Sequence, residues 1–167
     1  MVRLVKLYPI EEPDENYRKE LYKIYNSIVE SKLEIKKKRN LLTYLFAWEN
    51  WSWRVVGISV KALEEIQKNK FASNKGVRRG HIKDRAKTYD LLTSKAFEYE
   101  EWWKTFWDND KTELVTKEEN NNPEIKSEII KVDISKGYFV SDGLVGFKFR
   151  KTAEGEYCRT IWEKRRS

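Results

Sequence analysis

The chain has 167 residues, 34 Lys and Arg against 27 Asp and Glu, and a formal charge of +7 at neutral pH; that length suits one ordinary domain with its own core. Hydrophobic residues at 40% and aromatic ones at 14% exclude wholesale disorder. A single cysteine, Cys158, and a single histidine, His81, exclude a disulfide framework and a conventional structural zinc site.

The positive balance favours an anionic partner, nucleic acid ahead of membrane. No apolar run reaches the length of a bilayer span, and the N-terminal stretch lacks a signal-peptide core. A cytoplasmic protein without a membrane partner is the expectation.

In chain order, Val2 to Tyr8 alternates loosely as a short edge strand that Pro9 and Pro13 stop. Asp14 caps a helix that carries Tyr17, Leu21, Ile24 and Ile28 at helical spacing and runs to about Lys37. The basic run Lys36 to Arg39 complements the dipole at its end. Leu41 to Trp53 predicts a buried helix, with Trp48, Trp51 and Trp53 as core or interface residues rather than base-stacking platforms. Arg54 to Ser59 reads as a short strand, and Ser59 caps a helix to about Asn69. Residues 71–76 read as a loop.

Ile82 to Leu92 looks helical, and Thr93 or Ser94 caps a second helix carrying Phe97, Trp102, Trp103, Phe106 and Trp107. Residues 108–111 form a turn and Glu113 to Thr116 a strand. Thr116 and Glu119 have capping-box spacing, and Asn120 to Pro123 ends what they start. Ser127 to Ile134 alternates as a strand; Tyr138–Val140 and Leu144–Arg150 pair as a hairpin across Ser141, Asp142 and Gly143. Thr152 to Arg166 is a final amphipathic helix. The sum is an α+β fold, one domain over 1–167, with a helix-rich N-terminal two thirds packed on a small, mostly antiparallel sheet from the C-terminal third.

Chemistry concentrates between Gly76 and Leu92. His81 lies among Lys75, Arg78, Arg79, Lys83, Arg85 and Lys87, and Gly76 and Gly80 allow close backbone approach. A neutral imidazole accepts a proton near physiological pH, and arginines hold phosphate oxygens. Those cations are the expected nucleic-acid contacts. Arg79-Gly80-His81, followed by Asp110 and Asn120 with residues 110–121 as a strand running into a helix, resembles the ββα-metal nucleases, the broad HNH and Arg-Gly-His group. The resemblance implies a DNA endonuclease, of restriction or defence type, with DNA ahead of RNA as substrate. It implies His81 as general base, Arg79 as phosphate clamp, and Asn120 with Asp110 holding Mg²⁺ or Mn²⁺.

Three alternatives stand beside it. Asp110, Glu124 and Lys126, with Asp108 and Glu113 as alternates, resemble the D…E-x-K pattern of restriction-endonuclease-like nucleases. His81 and Asp84, three apart, could activate water in a metal-free glycosylase. A binding or regulatory domain would keep the cations and drop the chemistry. Metal-free mechanisms that need two histidines require a second copy, which keeps a homodimer among the partners.

Overall fold

Asp14 caps as its position predicts. In the computed structural model, which describes residues 6–167, its Oδ1 accepts the Tyr17 N–H at 3.0 Å and opens helix α1 (Glu15–Glu30). The strand expected over 2–8 lies partly outside the described residues, and residues 6–8 are not in a strand.

α1 stops well short of Lys37. The Ser31 hydroxyl turns back onto the Ile28 carbonyl at 2.7 Å, its backbone is extended, and a separate helix α2 (Ile35–Ala47) begins. Lys36 to Arg39 therefore sit at the start of α2. The complement to the α1 end is still made, because Lys38 Nζ reaches the Val29 carbonyl at 2.6 Å. α2 ends at Ala47 instead of continuing to Trp53, and the chain turns through residues 48–53 into β1 (Arg54–Ser59). Ser59 Oγ accepts the Ala62 N–H and opens α3 (Val60–Lys68).

Residues 77–81, to which the sequence pattern assigns no element, form β2 (Val77–His81). Asp84 caps α4 (Arg85–Ser94), accepting the Ala86 N–H at 2.8 Å. Thr93 and Ser94 close α4 rather than opening the next helix: their hydroxyls donate to carbonyls one turn back. α5 (Tyr99–Asn109) runs directly into β3 (Lys111–Thr116), so the expected 108–111 turn shrinks to Asp110. The capping box forms as predicted and starts α6 (Lys117–Asn121). β4 covers only Ile129–Lys131; the hairpin is β5 (Ser141–Asp142) with β6 (Gly146–Phe147), shorter than expected and carrying residue 141 as strand. A wide turn over 151–155 leads into α7 (Glu156–Arg166).

The α+β class holds, but the main sheet is not a C-terminal structure. Its order is β2-β3-β1-β4, three of those strands coming from the middle of the chain. β1 and β3 run parallel, while the β2–β3, β1–β4 and β5–β6 pairings are antiparallel. α1, α2, α4 and α5 share one aromatic core built on Tyr25, Phe46, Trp102 and Phe106, with the Phe46 and Phe106 rings stacked at 4.1 Å. A second core joins β1, β3, α3 and α7 through Val55, Ile58, Leu63, Leu114 and the buried Cys158. No helix among the described residues is long and apolar enough to cross a membrane.

Candidate nucleic-acid interface and catalytic site

β2 delivers the basic stretch to one edge of the sheet. Its antiparallel register sets Gly80 opposite Glu113 and His81 opposite Thr112. A Cβ at position 80 would stand 2.8 Å from Asn120 Oδ1 and 3.0 Å from Val115 Cγ2. Glycine is what lets the α6 side chain lie against the strand. The order here is strand, strand, helix, with α4 and α5 inserted between the two strands.

Trp53 is the floor beneath the arginines. The Arg79 and Arg85 guanidinium carbons lie 5.2 and 5.3 Å from its ring centroid, within cation–π range. The His81 ring meets it edge-on at 6.1 Å. The Trp53 backbone is left-handed, with φ of 51°, a conformation that costs energy for a bulky residue. Asp110 holds it there by accepting the Trp53 N–H at 2.7 Å, and Thr112 Oγ1 donates to the Trp53 carbonyl at 3.0 Å.

Asp110 is only 5% exposed. Burial pushes its carboxyl up to about 7, although the Trp53 N–H and the charges of Arg54, Arg79 and Arg85 all pull the other way. Asp110 makes no ion pair among the described residues. Beside it runs a narrow cleft of roughly 10 Å³, lined in part by His81, Arg85, Tyr89, Asn109 and Asp110, with room for about one water. Tyr89 Oη, Asn109 Oδ1 and Trp53 Nε1 are buried without a hydrogen-bond partner among the described residues.

On its other side His81 borders an open groove of about 620 Å³, shared with Arg39, Asn40, Asp84, Arg85 and Asn120. The imidazole is held well below its ordinary value, at about 4, by the atoms crowding it and then by the Arg85 and Arg79 charges. His81 keeps open surface on the groove side, so it is neutral and reachable at physiological pH. Lys75, Arg78, Lys83 and Lys87 are exposed; Arg79 and Arg85 are half-buried. None of these six forms an ion pair among the described residues, in contrast to Arg39, Lys126, Arg150 and Arg165, which all do. Arg79 donates instead to Ser141 Oγ at 3.0 Å.

The structure thus gathers His81, Arg79, Arg85 and Asn120 but separates Asn120 from Asp110. Asn120 lines the open groove, whereas Asp110 lines the narrow cleft beside His81, under the charges of Arg54, Arg79 and Arg85. A divalent cation there would meet those guanidiniums, so the Asn120 and Asp110 pair does not fit Mg²⁺ or Mn²⁺. Of the D…E-x-K residues Glu124 is exposed and Asp110 is buried, while Lys126 pairs with the alternate carboxylate Glu113 at 2.8 Å. Asp84 stands near His81 but spends Oδ1 on the α4 cap. Sequence reasoning missed Trp53, Arg54 and Ser141 as parts of the site. A tryptophan pair flanking a serine reads as core, and nothing in it marks a left-handed backbone. No family model matches the chain, and no curated protein or solved structure matches it.

Proposed function

We propose that the chain is a nucleic-acid-binding protein that hydrolyses phosphodiester bonds in the groove between β2, α4 and α6. One observation carries this reading: Lys75, Arg78, Arg79, Lys83, Arg85 and Lys87 have no carboxylate partner among the described residues, and a neutral histidine stands in their midst. Unpaired guanidiniums beside an open groove are ready hydrogen-bond donors to phosphate oxygens.

In the proposed chemistry Arg79 and Arg85, fixed over Trp53, clamp the non-bridging oxygens. They also offset the charge that grows on the phosphorus-bound oxygens as the nucleophile attacks. His81 Nδ1 or Nε2 takes the proton of the attacking water as its oxygen bonds to phosphorus. The bond from phosphorus to the leaving sugar oxygen breaks, and that oxygen takes a proton from solvent. Asn120, against Gly80, lines the groove beside His81 and can hydrogen-bond the substrate.

The test is a panel of single-stranded and duplex DNA and RNA, incubated with Mg²⁺, with Mn²⁺ and with EDTA. Cleavage of at least one substrate is expected, and an Arg79→Ala, Arg85→Ala double variant should lose it. Loss in EDTA would put a cation on the open side of the groove, against Asn120. Persistence in EDTA would leave imidazole and guanidiniums as the whole apparatus. Retention of nucleic acid without any cleavage supports the second reading, a binding module. One observation favours that reading: an imidazole held near 4 is a weak base at neutral pH.

A further inference from the structure

Of the chain's tryptophans, Trp51, Trp53, Trp102 and Trp103 are buried and Trp107 and Trp162 are half-buried, whereas Trp48 is 72% exposed. It follows the last residue of α2. One turn earlier on the same helix Tyr44 is 60% exposed. Exposing two large rings costs hydrophobic stabilisation, and scattered single rings need no explanation. Trp48, however, is not loose. Its six-membered ring lies over the β5–β6 turn: a Cβ at Gly143 would stand 3.4 Å from Cζ3 and 3.5 Å from Cη2. Gly143 has φ of +77°, a left-handed turn position that suits glycine. One edge of the ring is thereby supported while most of its surface stays open to solvent.

The same hairpin ties this ring to the cation cluster. Ser141, two residues before Gly143, accepts the hydrogen bond from Arg79 at 3.0 Å. Val145, two residues after it, lines a depression together with Arg78, Arg79 and Asn120. So one short turn holds a phosphate-clamping arginine on one side and an open aromatic face on the other. A nucleic-acid strand crossing the groove needs both, phosphates on the guanidiniums and a base on the ring.

We infer that Trp48, propped on the Gly143 turn, is a base-stacking subsite, so the strand that enters the groove carries an unpaired base there. In a duplex the base faces are already stacked on one another and offer no surface to the indole; in a single strand they do. The inference rests on the nucleic-acid reading above and deepens it by naming the substrate class as single-stranded.

The experiment is an anisotropy titration of the full chain with a fluorescein-labelled single-stranded oligonucleotide and with the blunt duplex of the same sequence, at several salt concentrations. Trp48→Ala should weaken single-strand binding by roughly 5- to 150-fold and duplex binding by less than about twofold. The salt dependence should keep its slope, and Trp48→Phe should recover most of the loss. The Arg79→Ala, Arg85→Ala variant should instead flatten the slope by about two units on both substrates. Single-strand affinity unchanged in Trp48→Ala, with the arginine effect intact, would overturn the stacking subsite alone and make the ring a surface for a protein partner. An equal loss on duplex would also overturn it. Failure of the wild-type chain to bind either substrate would overturn the nucleic-acid reading and this inference together.

Discussion

At the α6 end of β3, Glu119 has no exposed surface and accepts four hydrogen bonds, from Ser59 Oγ, the Thr116 N–H, and the N–H and Oγ of Ser127. Burial alone would raise its carboxyl, but those donors overcome it and hold it down at about 2. At the α5 end Asp110 is nearly as buried, accepts one N–H, and is pushed up to about 7. Around Glu119 the polar atoms are matched, so the carboxylate acts as a staple joining β1, α6 and the start of the next segment. Around Asp110 buried tyrosine, tryptophan and asparagine atoms lack partners and three arginines crowd in. Two carboxylates with similar burial and opposite surroundings separate the part of the molecule that holds it together from the part that is poised to meet something else.

The sharpest way to break that contrast is His81→Ala. It should lower the cleavage rate by roughly two to four orders of magnitude and leave binding nearly intact, because the arginines supply affinity. The pH profile of the wild-type rate discriminates further. A base needed in neutral form and held near 4 gives activity that is flat through the neutral range and falls only in acid. A rise centred near the ordinary imidazole value would mean that His81 is neither crowded by its surroundings nor faced by Arg85 and Arg79 in this way.

Glu119→Ala should act on the opposite quantity. It strands four buried donors and should cost about 3–5 kcal/mol of stability, a fall in Tm of roughly 6–20 °C for a chain of this size. Activity per folded molecule should be unchanged when assayed in the cold. Loss of activity without loss of stability would put Glu119 in the site and dissolve the comparison. The sign with pH follows from a depressed carboxyl: its stabilisation is present above the unfolded value of 4.5 and disappears as pH falls toward about 2.

Asp110→Asn is the gentler probe, with the opposite pH sign. A raised carboxyl destabilises the fold as pH climbs from its ordinary 3.8 through about 7. The amide keeps an acceptor for the Trp53 N–H and never ionises. Near pH 4 the variant should lie within about 1 kcal/mol of wild type, and above neutrality it should be the more stable by about 1–4 kcal/mol. Paired melts across that range are the measurement. A gap that stays constant with pH would show that Asp110 ionises as easily as a surface carboxylate.

Local signals carried much of the fold. Asp14, Ser59 and the Thr116 and Glu119 box cap helices through contacts that a run of few residues specifies, and all three form. What failed was whatever depends on distant chain. β2 has arginines and a glycine instead of alternating apolar residues, so it becomes a strand only because β3 pairs with it. The break at Ser31 rests on a single hydroxyl returning to the Ile28 carbonyl. In the site, the cluster around His81 was legible because its charges are contiguous in sequence. Trp53 and Arg54 were not, and Asp110 was named as a metal ligand rather than as the holder of Trp53, since these roles come from a parallel pairing between β1 and β3 that no periodicity announces. Trp48 was read with its neighbours Trp51 and Trp53 as core or interface rather than as a stacking platform, because the end of α2 at Ala47 is invisible in so apolar a run.

That parallel pairing has a consequence for how the site comes into being. Trp53 and Asp110 are 57 positions apart and meet only when β1 and β3 are in register. Closing so long a loop is paid in chain entropy before any contact repays it, which makes such pairings slow to form. A ribosome-bound chain that has emerged only through α4 already displays every cation of the cluster, yet it has no β3 to set the imidazole and guanidiniums over the indole. Under the proposed function, affinity for polyanions would therefore precede ordered chemistry during synthesis, and a fragment ending before β3 should stick to nucleic acid without acting on it.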